Sequence, residues 1–391
     1  RLRSPPCPLA LLPRKHPSIS TIEKWLVIIA ASGIIPVKAT SGHWPITEWF
    51  LRFSMRRSTA THSLGVNAPN DLEDAALVLK GAGHYEFGCR SCHGAPGEPQ
   101  PRIAQAMLPP PPDLATRVPQ RDAERLFTAV KHGFKFTGMP AWPAQQRDDE
   151  VWAVVAFLLK YPDLDKAAYR RLVNGEPEPT APIQRLAPTQ TEPRVPSAVN
   201  RTCVRCHGSD GMGRGSPAFP KLAGQRRQYM ENALRAYAAG DRYSGIMEPL
   251  VAGLDDAMIR ELSAYYSQLR PAQPESAGSG SPADQNSSQS AGREIELGAT
   301  IALEGIPRQR IPACIECHGP AGRRTKPAYP SLAGQPAEYL VLQLELFKKH
   351  KRGGSEYAHL MEDIAPRLSS EQMRAVARYF ESLEIATETP P

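Results

Sequence analysis

The chain has 391 residues, with 47 Lys and Arg against 40 Asp and Glu, and 40 prolines. That length suits two to four domains. The excess charge sits mainly in residues 1–39, which hold six basic residues and one acidic residue, so the remainder is close to neutral and gives no electrostatic case for nucleic acid as a partner.

Residues 1–39 read as an export signal. A basic stretch ending at Lys24 precedes the apolar run Trp25–Ile35, and Val37-Lys38-Ala39 fits a small-x-small cleavage site. The run between Lys24 and Lys38 reaches only about 20 Å as a helix, short of the roughly 30 Å of a bilayer core. A signal peptide is therefore favoured over a spanning helix; left uncleaved, the segment would serve as an anchor. Cys7 precedes the apolar run and is read as a leader residue. Residues 40–69 form an amphipathic segment. Ile46, Trp49, Phe50 and Phe53 stand at i, i+3, i+4 and i+7, flanked by Arg52, Arg56 and Arg57. This is either an interfacial helix lying on the membrane or a helix docked on the domain that follows.

A first domain is expected over residues 70–173. A helix over Asp71–Gly83 leads into Cys89-Arg90-Ser91-Cys92-His93. The same pattern recurs as Cys203-Val204-Arg205-Cys206-His207 and Cys314-Ile315-Glu316-Cys317-His318, using six of the seven cysteines. C-x-x-C-H is the attachment signature of c-type haem. Two thiols on one helical turn reach the two vinyl groups of a porphyrin, and the adjacent imidazole is held under the iron. A thioredoxin-type motif would need a βαβ context. A zinc ribbon would pair two C-x-x-C units across a short spacer, whereas these motifs stand more than 100 residues apart. The expectation is three covalent haem c groups, on Cys89 and Cys92, Cys203 and Cys206, and Cys314 and Cys317, with His93, His207 and His318 as proximal ligands.

Further along the first domain, Arg121–Lys131 reads as a helix, Phe136–Trp142 as a loop, and Val151–Tyr161 as an apolar helix. Asp148, Asp149 and Glu150 in the first turn of that last helix suit its macrodipole. Residues 174–196 hold six prolines and read as a semi-rigid linker. The second domain, 197–270, reaches its haem motif almost at once and lacks a clear first helix. Residues 271–291 are a Ser-, Gly- and Pro-rich flexible linker. The third domain, 292–386, has a helix over Glu294–Leu303 before its motif. The second and third domains repeat each other: Pro217–Gln225 matches Pro327–Gln335, and Tyr229 matches Tyr339. They are expected to pack as a pseudo-symmetric pair, with the first domain more loosely attached through its long linker.

Each segment resembles a class I c-type cytochrome domain, and the second and third together resemble the tandem di-haem periplasmic cytochromes. The resemblance covers about residues 70–386. It implies an all-α fold of three consecutive small cytochrome c domains, each wrapped around one covalent haem. It implies that Gly81 and Tyr85 lie where the first and last helices of a domain cross. It also implies a proline carbonyl that accepts the Nδ1–H of the proximal histidine: Pro220, Pro330, and one of Pro109–Pro112. Because haem is attached to such proteins outside the cytoplasm, it implies export to the periplasm.

The sixth iron ligand separates a carrier from an enzyme. Met139, Met247 and Met361 each stand twelve residues before the same point of a closing helix, at Val151, Ile259 and Met373. Independent core methionines would not be expected to share that offset, and the resemblance places Met139 in a Met-ligand loop. Met107, Met212, Met230, Met258 and Met373 are better explained by loops or core packing. His132 and His359 are rivals to Met139 and Met361; the second domain has no comparable histidine. His/Met ligation raises the reduction potential. These residues point to a tri-haem electron carrier with no catalytic residues and no small-molecule substrate. By resemblance it would serve a bacterial respiratory chain, with a quinol-oxidising complex or a dehydrogenase as donor and a terminal oxidase as acceptor, and with the membrane surface as a further contact. The alternatives are the cytochrome subunit of a membrane-bound alcohol, aldehyde or sugar-acid dehydrogenase, and a haem peroxidase, which would need an open coordination position.

Overall fold

The computed structural model of the protein describes residues 21–35, 38, 40–175, 197–269, 285–319 and 325–385. Residues 1–20 with Cys7, positions 37 and 39 of the expected cleavage site, and most of both expected linkers lie outside the described residues. Among the described residues the secondary structure is helical, with isolated β-bridges and no strand. The chain divides into two compact units, 1–51 and 52–391.

In the first unit, helix α1 (Thr21–Ala31) exposes Trp25, Leu26, Val27 and Ile28. Helix α2 (Pro45–His62) begins in this unit with Trp49 and Phe50 exposed. Among the described residues no helix is long and apolar enough to cross a membrane. In the second unit α2 ends with Thr59 buried, its hydroxyl returned to the Met55 carbonyl at 2.8 Å.

Domain 1 is built from α3 (Ala75–Gly88), α4 (Arg90–His93), α5 (Ala123–His132), α6 (Asp148–Lys160) and α7 (Lys166–Asn174). Asp74 caps α3, its carboxylate accepting from the Leu77 amide at 2.8 Å. Helix α3 crosses α6 at Gly81, where any Cβ would overlap the Ala153 carbonyl oxygen, so only glycine admits the crossing. One turn on, Tyr85 is fully buried 5.0 Å from the Phe157 ring, and its hydroxyl donates to the Gly94 carbonyl at 2.9 Å. That bond ties the helix crossing to the residue just after the first haem motif. Helix α7 is an addition that periodicity did not reveal. Asp165 caps it, and its Tyr169 hydroxyl donates to Glu86 at 2.6 Å.

Domain 2 comprises α8 (Ser197–His207), α9 (Arg227–Ala238), α10 (Met247–Val251) and α11 (Asp256–Gln268). Domain 3 comprises α12 (Gln285–Glu304), α13 (Ile315–His318), α14 (Ala337–Lys348), α15 (Ala358–Ile364) and α16 (Ser370–Ser382). Domain 3 repeats the crossing of domain 1: α12 meets α16 at Gly298, where a Cβ would overlap the Ala375 carbonyl oxygen. Ser369 and Gln372 close a capping box at the start of α16. Among the described residues of domain 2 no helix precedes α8, whose last turn is the motif. Helix α3 of domain 1 lies beside it instead: a Cβ built at Gly83 would stand 3.4 Å from Cys206 Sγ and 3.6 Å from the Phe219 ring.

Domains 2 and 3 form the expected pseudo-symmetric pair. The Gln225 side chain donates to the Ser331 carbonyl at 2.9 Å and accepts from the Ser331 amide at 2.8 Å. Gln335 does the same with Lys221, at 2.7 and 3.1 Å. Both glutamines are buried, so each must find both a donor and an acceptor, and the partner repeat supplies them. A second strip joins Tyr243 N to Arg352 O and Gly354 N to Asp241 O, each at 2.9 Å.

The loose attachment expected of domain 1 is overturned. Glu150, 2% exposed on α6, accepts from Trp142 Nε1 at 3.1 Å within domain 1, and from Ser244 Oγ and the Gly245 amide, both at 2.7 Å, in domain 2. Arg147 donates to the Tyr243 carbonyl at 2.5 Å, and Arg214 of domain 2 donates to the Leu172 carbonyl at 2.8 Å. A buried carboxylate held this way fixes the two domains against each other, because separating them would leave its donors unpaired in an apolar setting.

Candidate haem sites

The three C-x-x-C-H motifs adopt one local geometry. The His93 amide donates to the Cys89 carbonyl, and the His318 amide to the Cys314 carbonyl, both at 2.9 Å. In domain 2 the motif is the last turn of α8. The two thiols of each motif therefore stand on one turn, and the imidazole follows directly. Burial pushes the thiols up, Cys89 to about 12, with its neighbour Cys92 adding to the effect, and Cys206 and Cys314 to about 11. Cys89, Cys203, Cys206 and Cys314 are thus neutral, half-buried thiols. That suits thioether formation better than capture of a free metal ion, which needs thiolates.

The proximal histidines are oriented by proline carbonyls. His207 Nδ1 stands 3.0 Å from the Pro220 oxygen, and His318 Nδ1 3.0 Å from the Pro330 oxygen. In domain 1 the partner among the four prolines is Pro112, 3.4 Å from His93 Nδ1. A carbonyl can only accept, so Nδ1 carries the proton and Nε2 keeps its lone pair for iron. Burial holds all three imidazoles below their ordinary range, and the proline contacts oppose it. Neutral imidazole is the form a metal needs.

A cavity of about 1130 Å³ runs through domains 2 and 3. Its walls include Cys203, Cys206, His207, Pro220 and Met247 on one side and Cys314, Cys317, His318, Pro330 and Met361 on the other. Ordinary ligand sites occupy roughly 300–1,000 Å³, so the space suits two macrocycles. The candidate sixth ligands Met247 and Met361 thus face the same space as their histidines. Met247 opens α10, with its amide 3.1 Å from Ser244 Oγ, and Met361 lies on α15. In domain 1, Met139 sits half-buried in a tight loop: its carbonyl accepts from the Phe134 amide at 3.1 Å and its amide donates to Thr137 Oγ1 at 3.1 Å. Met107 packs against the neighbouring Gly138, closer to this loop than its sequence position implied. The rivals His132 and His359 are exposed.

Two functional side chains escaped the sequence reading. Arg242 and Arg352 are buried in the cavity wall, and among the described residues no carboxylate pairs with either. Arg242 reaches the hydroxyls of Tyr229 and Tyr339, at 3.4 Å each, while Arg352 donates to Gln343 at 2.8 Å. Burial and the adjacent Arg242 charge pull the pKa of Arg352 down. Two buried guanidiniums facing one space call for anions, and haem carries two carboxylates. The residues present therefore fit the group. The signal in the sequence was the shared offset of 110 that relates Gln225 to Gln335, Tyr229 to Tyr339 and Arg242 to Arg352.

Comparison with known proteins gives the family. A family model for cytochrome c matches residues 196–270 and 295–384, and one for subunit III of cbb3-type cytochrome c oxidase matches residues 76–158. The thiosulfate dehydrogenase electron acceptor of Thiomonas intermedia is 35% identical over 193 residues, covering 49% of this chain and 82% of that protein. The chain belongs to the cytochrome c family. It is an electron-transfer cytochrome that carries covalently bound haem c and works with redox protein partners. Cytochrome c4 of Azotobacter vinelandii is 30% identical over 191 residues, covering 46% of this chain and 84% of that protein. Among solved structures, reduced recombinant cytochrome c4 from Pseudomonas stutzeri is 28% identical, covers 48% of this chain and 97% of that chain, and superposes with a TM-score of 0.39.

Proposed function

We propose that the protein is a tri-haem electron carrier of a bacterial respiratory chain, held at the periplasmic face of the membrane. The division proposed is a leader over 1–39, an amphipathic segment over 40–69, haem domains over 70–173, 197–270 and 292–386, and linkers between them. Cys89 and Cys92, Cys203 and Cys206, and Cys314 and Cys317 hold the three haems. His93, His207 and His318 would ligate the irons, with Pro112, Pro220 and Pro330 fixing their rings. Met139, Met247 and Met361 would supply the remaining ligands. The observation that carries this reading is the shared cavity, in which the histidine, its proline and the methionine of each repeat converge.

Bound haem iron supplies one-electron chemistry, cycling between ferric and ferrous states. The chain supplies the rest. Its thioether cysteines pin each macrocycle, its imidazoles present Nε2, its methionine thioethers favour the reduced iron, and Arg242 and Arg352 offer charge to carboxylates. A methionine candidate at each site leaves no open position for peroxide, which disfavours the peroxidase reading. Two observations suggest the ends of the chain of transfer. The likeness of residues 76–158 to an oxidase subunit supports a terminal oxidase as acceptor. The likeness to a thiosulfate dehydrogenase electron acceptor supports a dehydrogenase as donor, in place of a quinol-oxidising complex. The exposed aromatic residues of α2 beside Arg52, Arg56 and Arg57 support a resting place in the headgroup layer. Purification from membranes with identification of co-purifying proteins, together with a redox titration, tests the reading. Three haems with weak far-red Met–iron absorption are expected; absence of that absorption from all three would overturn the ligand set.

A further inference from the structure

His84 lies on α3 of domain 1, is only 6% exposed, and among the described residues neither ring nitrogen has a hydrogen-bond partner. An unpaired buried imidazole costs free energy, so such groups normally find a partner. The ring faces Trp142 at 5.9 Å and lines the cavity that also holds Cys203, Cys206, His207 and Met247. It therefore belongs to the walls of the second haem site although it comes from the first domain. The backbone agrees: the neighbouring Gly83 is the point where α3 touches Cys206 and Phe219.

The surroundings settle its protonation. Burial lowers its pKa well below the ordinary range; Lys80 and Arg147 add to that, and Asp149 opposes it. A neutral imidazole has one N–H to give. The junction does not drift, because Glu150 locks domain 1 to Ser244 and Gly245 of domain 2.

We propose that His84 of domain 1 is a hydrogen-bond donor to the haem of domain 2, so that one helix joins the first two haem sites. This rests on the assignment of the second haem to Cys203, Cys206, His207 and Met247. The only strong acceptors on a haem edge are its propionate carboxylates, and these are the atoms the N–H serves. Helix α3 ends at Gly88 with Cys89 as its cap, so the helix that carries His84 leads, five residues later, into an attachment cysteine of the first haem. The sequence shows a histidine near a haem motif, but not that it serves the following one.

The test is a spectroelectrochemical titration of the full-length protein bearing H84L or H84Q. A donor to a propionate disperses negative charge near the iron, so its removal favours ferric iron. H84L should lower the midpoint potential of one haem of the three by about tenfold in the redox equilibrium, or about 59 mV for one electron. H84Q, which keeps a donor, should move it by less than half as much. Unchanged potentials in a three-haem H84L protein would overturn the proposal while leaving the electron-carrier reading intact. Should H84L fail to take up its second haem, the wild-type protein decides. With 15N-labelled histidine, a fourth imidazole besides the three proximal ones should shift on reduction, keep an N–H slow to exchange, and vanish in H84Q. A freely exchanging ring, or a bis-imidazole signature at one haem, would overturn the donor role.

Discussion

Removing the carboxylate of Glu150 should release domain 1 from domain 2. In Glu150→Ala the indole N–H of Trp142, the Ser244 hydroxyl and the Gly245 amide all lose their acceptor, and these groups sit in a nearly dry junction. Bonds to a charged group contribute about 1.5–3 kcal/mol each when measured singly. The three share one acceptor, so their losses do not add, and Ser244 can rotate toward another partner. Arg147 is not orphaned, because Asp149 pairs with its guanidinium at 2.8 and 2.9 Å. Breaking a buried, partnered charge typically costs about 3–5 kcal/mol, and that range is expected here. The loss falls on the junction and not on the domain cores, so Glu150→Ala should split a single urea transition into two and raise the radius of gyration in small-angle scattering. Glu150→Gln keeps an acceptor and the shape, and should cost about 1–2 kcal/mol. A Glu150→Ala protein that keeps one transition, an unchanged scattering curve and less than about 1 kcal/mol of lost stability would refute the view that this carboxylate fixes domain 1.

Replacing Cys206 with Ser should lose or weaken only the middle haem, read as one haem fewer in the mass of the denatured chain, with the other two retained. Asp149 gives the fold an acid-labile contact: burial alone would raise its pKa, but Lys80 and Arg147 hold it well below the ordinary range. A depressed folded pKa means stabilisation that is full above the unfolded value near 4 and fades as pH falls below it; Asp149→Asn should flatten that part of the stability–pH curve in acid titrations followed by circular dichroism. Electron delivery to a partner should depend only weakly on ionic strength, because the chain outside residues 1–39 is close to neutral and offers little long-range steering; a steep fall in rate between low and physiological salt in stopped-flow mixing would show a diffusing shuttle instead.

Some of this molecule is written locally. C-x-x-C-H needs only one helical turn to bring its two thiols and imidazole together, so Cys89, Cys92 and His93 could be read together, as could the other two motifs. The helix crossing at Gly81 was legible only through the resemblance to class I cytochromes, in which a glycine and a tyrosine at this spacing mark where the first and last helices meet. The matching crossing at Gly298 went unread, as no tyrosine marks it. Pro220 and Pro330 were implied by the resemblance, at matching places in the two repeats, whereas Pro112 could be picked from four neighbouring prolines only once His93 was placed in space.

The sequence determined the number of haem motifs, the helical class of each domain and the pairing of the last two repeats, because these follow from short-range spacing and from one segment copying another. Tertiary structure alone decided what lies between domains. Glu150 looked like a helix-dipole residue, yet its carboxylate is the acceptor that docks domain 1 on domain 2. His84 precedes the first motif but faces the second site. Arg242 and Arg352 lie far from any motif and still meet in one cavity wall. Each of these groups is buried, and what surrounds it comes from segments whose distance along the chain carries no local signal; for Glu150 those segments supply the hydrogen bonds themselves.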